Sequence, residues 1–186
     1  HQPVEQLASL RVIPGLRVLR PADAQEMIMA WKMALSSQEN PTAIISTRQG
    51  IEVFAKSDQN WQESITKGAY VASESEGEPE MVIVASGSEV SLAIKVKEKL
   101  ANKNIRVVSM MSKELFLSQD RDFKVRLLSS NTKKLVIEAG VSYGWEGIAG
   151  DNGQIISIET FGESGPGGDL AEHFGFTVDK VISKIK

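Results

Sequence analysis

The alternation of apolar and polar positions divides this chain into short buried strands and amphipathic helices. Met81 to Ala85 is an unbroken apolar run rich in β-branched residues, the pattern of a strand covered on both faces in a parallel sheet. Ser86-Gly87-Ser88-Glu89 reads as a turn into a helix, with Ser88 as the expected acceptor for its free N–H groups. Val90, Ala93, Ile94 and Leu100 recur at helical spacing opposite Lys95, Lys97, Glu98 and Lys99. Asn102 to Asn104 end that helix, and Ile105 to Met110 return as a strand, completing a right-handed βαβ crossover. The helix start could cradle a phosphate, or it could simply cap a helix.

The same rhythm continues. Lys113 to Leu128 predicts one or two irregular helices, and Lys134 to Glu138 a third parallel strand. Ser142 to Ala149 predicts a short helix carrying Tyr143 and Trp145, and Gln154 to Glu159 a fourth strand. Gly167 to Phe174 and Thr177 to Ile185 close the chain as helices, with Thr177 as N-cap of the last. Ile65 to Ala72 adds a short strand at the edge, and residues 73–79 form an acidic, solvated turn. Strands alternating with helices predict a small, doubly wound, mostly parallel sheet over residues 65–186, of which residues 80–186 form the complete alternation.

Upstream, Pro3 to Leu10 predicts one or two helical turns and Leu16 to Leu19 a short strand. Asp23 should cap a helix from Ala24 to Leu35, on which Met27, Ala30, Trp31, Ala34 and Leu35 share one side. Thr42 to Ser46 is another buried-type strand. Two strands and one helix leave an apolar face open, so residues 1–50 are expected to be part of a larger α/β domain. Residues 51–64 read as a linker pinned by Trp61.

Composition narrows the function classes. With 21 Lys and Arg against 24 Asp and Glu the net charge is −3, which argues against a dominant nucleic-acid surface. There is no cysteine, so disulfides and thiolate metal sites are excluded and a reducing compartment is compatible. The apolar runs fall far short of a membrane span, and no signal peptide is evident. His1-Gln-Pro reads as the interior of a longer chain.

Few residues stand out chemically. His1 could donate, accept or shuttle a proton, or be a frayed or tag-derived end. Arg48 follows a buried strand, where open α/β sheets bind ligands, and a guanidinium there suits a phosphate; the alternative is an ion pair with Glu52 or Asp23. Phe161 to Gly168 carries four glycines between a strand and a helix, a phosphate cradle in outline or a plain helix entry. His173 should meet a glutamate or solvent, and the two histidines give no metal-ligand spacing. Glu138 ends a strand at the sheet's C-terminal edge as one carboxylate without a partner, while Tyr143 and Trp145 read as packing residues.

Taken together, these segments resemble the transketolase family. His1-Gln-Pro-Val-Glu-Gln-Leu-Ala-Ser-Leu-Arg11, Arg20-Pro-Ala-Asp23, Ser46-Thr-Arg-Gln49, Val84-Ala-Ser-Gly-Ser-Glu-Val-Ser-Leu92, Phe161-Gly-Glu-Ser-Gly-Pro166 and His173-Phe-Gly-Phe-Thr177 follow its order. The resemblance implies the end of a pyrimidine-binding domain followed by the family's C-terminal domain. It also implies a cytoplasmic homodimer that uses thiamine diphosphate and a divalent metal (Mg or Ca) to move a two-carbon ketol unit between sugar phosphates in the pentose phosphate pathway. By position, His1 resembles the active-site histidine that contacts the sugar hydroxyls, and Arg48 the arginine that grips the substrate phosphate. The family's activating glutamate, its pyrimidine cradle and its metal-binding domain lie upstream of the histidine. This chain alone is therefore expected to bind neither cofactor nor metal and to be inactive. No nucleic-acid or membrane partner is implied. Two rival readings are a non-catalytic subunit-interface domain and the β subunit of a 2-oxo acid dehydrogenase, which shares the Gly-Ser-Glu-Val stretch; the His1 and Arg48 segments argue against the latter.

Overall fold

The computed structural model describes residues 2–185, so His1 lies outside the described residues. The N-terminal part comprises α1 (Gln6–Arg11), β1 (Arg17–Leu19), α2 (Ala24–Ser36) and β2 (Thr42–Ile44). β1 and β2 pair in parallel, with Arg17 opposite Thr42. Asp23 caps α2 as its residue type predicts, accepting the Glu26 N–H at 2.9 Å. Glu26 reaches back to the Ala22 N–H at 2.9 Å, one residue before the cap, so its side chain ties the entering chain to the first turn.

The covered side of α2 differs from the expected one. Glu26, Met29 and Ala30 are buried, whereas Ile28, Trp31 and Leu35 are exposed, Leu35 by 80%. Apolar residues surround most of this helix, so periodicity selects no single face; the neighbour that covers it does. The open apolar surface expected of two strands and one helix is present on this exposed side.

Residues 45–60 hold no helix or strand. The next elements are α3 (Trp61–Ser64), a 3₁₀ turn over Ile65–Lys67, β3 (Tyr70–Ser73), β4 (Met81–Ala85), α4 (Glu89–Lys99) and β5 (Ile105–Ser109). They are followed by α5 (Lys113–Leu117), α6 (Arg121–Leu128), β6 (Lys133–Ile137), α7 (Glu146–Ala149), β7 (Gln154–Ile156), α8 (Gly167–Phe174) and α9 (Val178–Lys184). The five-stranded sheet has the order β3-β5-β4-β6-β7. β3 is an antiparallel edge and the other pairings are parallel.

β4 sits at the centre with all five residues buried, as its unbroken apolar run predicts. Its alternate side chains enter two separate cores. Met81, Ile83 and Ala85 pack with Val90, Ala93 and Val96 of α4 and Val181 of α9. Val82 and Val84 pack with Phe116, Phe123 and Leu127 of α5 and α6 and with Trp145 and Ile148. Helices on both faces make the sheet doubly wound. Each fully buried Val, Leu or Ile contributes about 1.5–3 kcal/mol.

Three local expectations change in detail. Ser88 and Thr177 occupy N-cap positions without capping; their hydroxyls donate instead to Glu89 at 2.6 Å and to Glu172 at 3.0 Å. Tyr143 is 64% exposed and does not pack, whereas Trp145 is fully buried. Trp61 does pin the connecting segment, its ring 5.6 Å from that of Tyr70.

The N-terminal part shares one apolar cluster with the sheet: Leu19, Ala22, Met29 and Ala30 pack with Ile65, Tyr70 and Ala72. Inside this contact lies Glu26, fully buried, accepting from the Tyr70 and Ser109 hydroxyls at 2.7 Å each. Burial pushes its carboxyl above the ordinary value of 4.5, against the pull of those hydrogen bonds. Gly68, at φ +102°, lets the turn before β3 lie directly on α5; a Cβ there would overlap the backbone of Ser112 and Phe116.

Two outcomes are expected. Gly68→Ala should destabilise the fold by at least about 2 kcal/mol, since both the backbone angle and the space forbid a side chain; a denaturant titration measures it. Folded Glu26 holds its proton to higher pH than the unfolded chain does, so unfolding releases a proton and this contribution to stability falls as pH rises above the ordinary carboxylate value. Glu26→Gln keeps an oxygen for the two hydroxyls and removes the titration. Its stability relative to the parent should therefore improve as the pH is raised above the ordinary carboxylate value, in urea unfolding curves.

Candidate functional site

The C-terminal ends of the two sheets' parallel strands meet. Arg20 directly follows β1, Ser86-Gly87 follow β4 and Glu138 follows β6; Arg20, Ser86 and Glu138 form one buried polar cluster. The Arg20 Nη1 lies 3.0 Å from the Ser86 carbonyl, 3.1 Å from its hydroxyl and 3.0 Å from Glu138 Oε1, and it also bonds Glu89. The second oxygen of Glu138 accepts from the Ser86 hydroxyl at 2.9 Å and from Arg11 Nη1 at 3.4 Å. Glu89 takes the Ala139 N–H at 3.2 Å as well. Burial alone would lower the Arg20 pKa, but Glu89 and Glu138 beside it raise it above its ordinary value. Gly87, at φ +57°, lets the guanidinium pass, because a Cβ there would stand 2.8 Å from Arg20 Cγ and Nε.

This corrects the expectation that Glu138 lacks a partner: it has two arginines. Arg11, Arg20 and Glu89 were not recognised as site-forming residues. The available signal was positional, since Arg20 and Glu138 each follow an apolar strand directly.

Two cavities open around the cluster. One, of about 270 Å³, is lined by Arg20, Pro21, Ser46, Thr47, Gln49 and Glu89 among others. The other, of about 380 Å³, lies against α8 and is walled by Leu92, Ile158, Leu170 and Phe174, with Gln2 and Gln49 also on its lining. Arg48 lies just past β2 and is exposed. The ion pair with Asp23 or Glu52 does not form: Asp23 is held by Lys56, and Arg48 has no ion pair among the described residues. Arg48 itself lines neither cavity, but Thr47 and Gln49 on either side of it do, joined to each other by a side-chain hydrogen bond. The residues adjacent in sequence to His1 and to Arg48, Gln2 and Gln49, thus border one space.

The glycine-rich segment serves the same junction. The Gly162 N–H donates to the Gln2 carbonyl at 2.7 Å, and a Cβ at Gly162 would come within 2.6 Å of that oxygen. The segment enters α8 at Gly167. His173 faces Glu163 at 3.5 Å, on the surface. Lys113 is buried 5.2 Å from the Trp145 ring centre; burial, followed by the nearby Arg11 charge, lowers its pKa. Among the described residues no group of three or more His, Asp or Glu is placed to hold a metal ion. No described helix is long and apolar enough to cross a membrane.

Comparison with known proteins fits this geometry. Residues 1–52 match the family model described as transketolase, pyrimidine binding domain, and residues 68–177 the one described as transketolase-like TK C-terminal domain. The chain is 47% identical to a transketolase of Aquifex aeolicus over 188 residues, covering all of this chain and 27% of that protein. It matches the structure of transketolase from Leishmania mexicana with a TM-score of 0.90 at 39% identity, over 98% of this chain and 26% of that one. A transketolase from Pichia stipitis in complex with sedoheptulose-7-phosphate matches with a TM-score of 0.90 at 31% identity, over 99% and 26%. The chain thus spans little more than a quarter of the length of these relatives. The matches cover both the strand-end junction and the doubly wound sheet behind it, and the chain belongs to the transketolase family.

Proposed function

We propose that this chain forms the substrate-phosphate end of a thiamine-diphosphate-dependent transketolase, which transfers a two-carbon ketol unit between sugar phosphates. On this reading residues 1–50 complete the pyrimidine-binding domain, residues 51–64 link, and residues 65–186 are the C-terminal domain. The observation that carries it is Arg48: an exposed guanidinium without an ionic partner among the described residues, past the C-terminal end of a parallel strand, on a loop whose neighbour Gln49 borders the same cavity as Gln2. A free, forked cation in that place suits a phosphate dianion. The sugar phosphate bound by the Pichia relative supports the same substrate class.

Thiamine diphosphate supplies the carbanion chemistry when bound, and a divalent metal, Mg or Ca, accompanies its diphosphate. The described residues do not fit that metal, since they hold no cluster of carboxylates or imidazoles able to bind one. This chain's own tasks are therefore at the sugar. Arg48 binds the phosphate and so fixes how far the sugar reaches toward the cofactor. His1 contacts the sugar hydroxyls beside the reacting carbon, where an imidazole can hold or move a proton near neutral pH. The intact protein is a cytoplasmic homodimer of the pentose phosphate pathway, and the present chain alone is inactive.

In the full-length enzyme Arg48→Ala should weaken use of a phosphorylated ketose by roughly 1.5–3 kcal/mol in kcat/KM while hardly changing an unphosphorylated one. Equal losses for both substrates would reject the phosphate role.

A further inference from the structure

We propose that Glu138 is a positioning residue, through which the C-terminal sheet sets the spacing between the His1 segment and the Arg48 loop. The inference rests on the roles proposed above for His1 and Arg48, and on four features of the fold.

First, the segment after His1 has little hold of its own. α1 is six residues long, contains no fully buried residue and has no side-chain N-cap. A helix of that length is not stable alone. Second, its attachments to the C-terminal part are specific. The Gln2 carbonyl takes the Gly162 N–H, and the Val4 carbonyl passes 3.5 Å from where a Cβ on Gly140 would sit. The Arg11 side chain is only 4% exposed; it reaches Glu138, lies 3.7 Å from Glu114 and packs 5.2 Å from the Trp145 ring centre. Third, Arg20 begins the turn after β1 and binds the other oxygen of Glu138. β1 carries the Arg48 loop with it, because the Ile45 N–H donates to the Leu19 carbonyl at 2.8 Å, just before Ser46 and Thr47. Fourth, Glu138 is fully buried at the end of β6 in the sheet interior, so its position is set by the core.

One carboxylate therefore holds two arginines, one per oxygen. Arg11 leads back to His1, and Arg20 leads through β1 and β2 to Arg48. A ketose phosphate bound between histidine and arginine needs a fixed separation, and loss of positional accuracy at either end lowers turnover more than it disturbs the fold.

The test uses the full-length enzyme with cofactor, assayed per folded protein with a phosphorylated and an unphosphorylated ketose donor. Arg11→Met is the first variant, because methionine keeps an unbranched apolar stem in the buried place of the Arg11 side chain and Glu138 keeps Arg20 as its partner. It should lower kcat about tenfold or more with both donors and leave the preference for the phosphorylated donor intact, since only the His1 side is loosened. Glu138→Gln should lower kcat similarly and also raise KM for the phosphorylated donor, because both sides are loosened. Arg11→Lys, which keeps the charge, should recover part of the loss. The inference is overturned if Arg11→Met, or Arg11→Gln should the Met variant not fold, has a kcat within about twofold of the parent. Arg48→Ala, measured alongside, separates the two levels. If it abolishes the phosphate preference while the Arg11 variants are silent, the positioning role fails and the proposed function stands. If it leaves the preference unchanged, the functional reading itself fails.

Discussion

The arrangement of this chain depends on one buried guanidinium. Arg20 stands where the two sheets meet end to end, enclosed by Ser86, Glu89 and Glu138. A cation taken out of water is stable only when its charge and its donors are both answered, and removing one partner of such a group costs about 3–5 kcal/mol. The cluster therefore specifies where β1 lies against the large sheet more strongly than it adds stability. Apolar contacts between Met29, Ala30, Ile65 and Ala72 supply adhesion but little direction. The directional part comes from Arg20 and, on α2, from Glu26 with Tyr70 and Ser109.

That geometry explains how a small, doubly wound sheet takes part in a site at its edge. Loops at the carboxyl ends of parallel strands converge, and here two sets converge on each other. The large sheet contributes Ser86, Glu89 and Glu138, which face inward and are satisfied by protein groups. The small sheet contributes the loop from Ser46 to Gly50, whose cation faces outward. A satisfied ionic cluster holds the structure, and at its rim stands Arg48, exposed and without an ion pair among the described residues. Gly87 and Gly162 fit this picture, since each marks a place where one part of the chain passes too close to the other for a side chain.

Much of the candidate site was legible in the order of the residues. Arg48 stands out in the sequence because it follows an apolar strand, and the structure leaves it exposed there. The cluster behind it was not legible. Arg20 looked like the end of a strand and Glu138 like an isolated carboxylate, yet they are bonded across 118 positions. No local spacing encodes such a pair. The capping serines and threonines illustrate the same limit: Ser88 and Thr177 have the right residue type at the right place, but a neighbouring glutamate takes each hydroxyl.

By itself the sequence determined the alternation of strands and helices, the burial of Met81 to Ala85 on both faces, and a short edge strand before it, although that strand begins at Tyr70 after a 3₁₀ turn over Ile65–Lys67 and its antiparallel direction came only with the fold. These follow from period and run length, which act over a few residues and are indifferent to what lies beyond. The tertiary structure decided which side of α2 is covered, which tyrosine or tryptophan packs, and which charges pair. Each of these depends on a partner distant in sequence, and on how much water remains between the two once the core has closed.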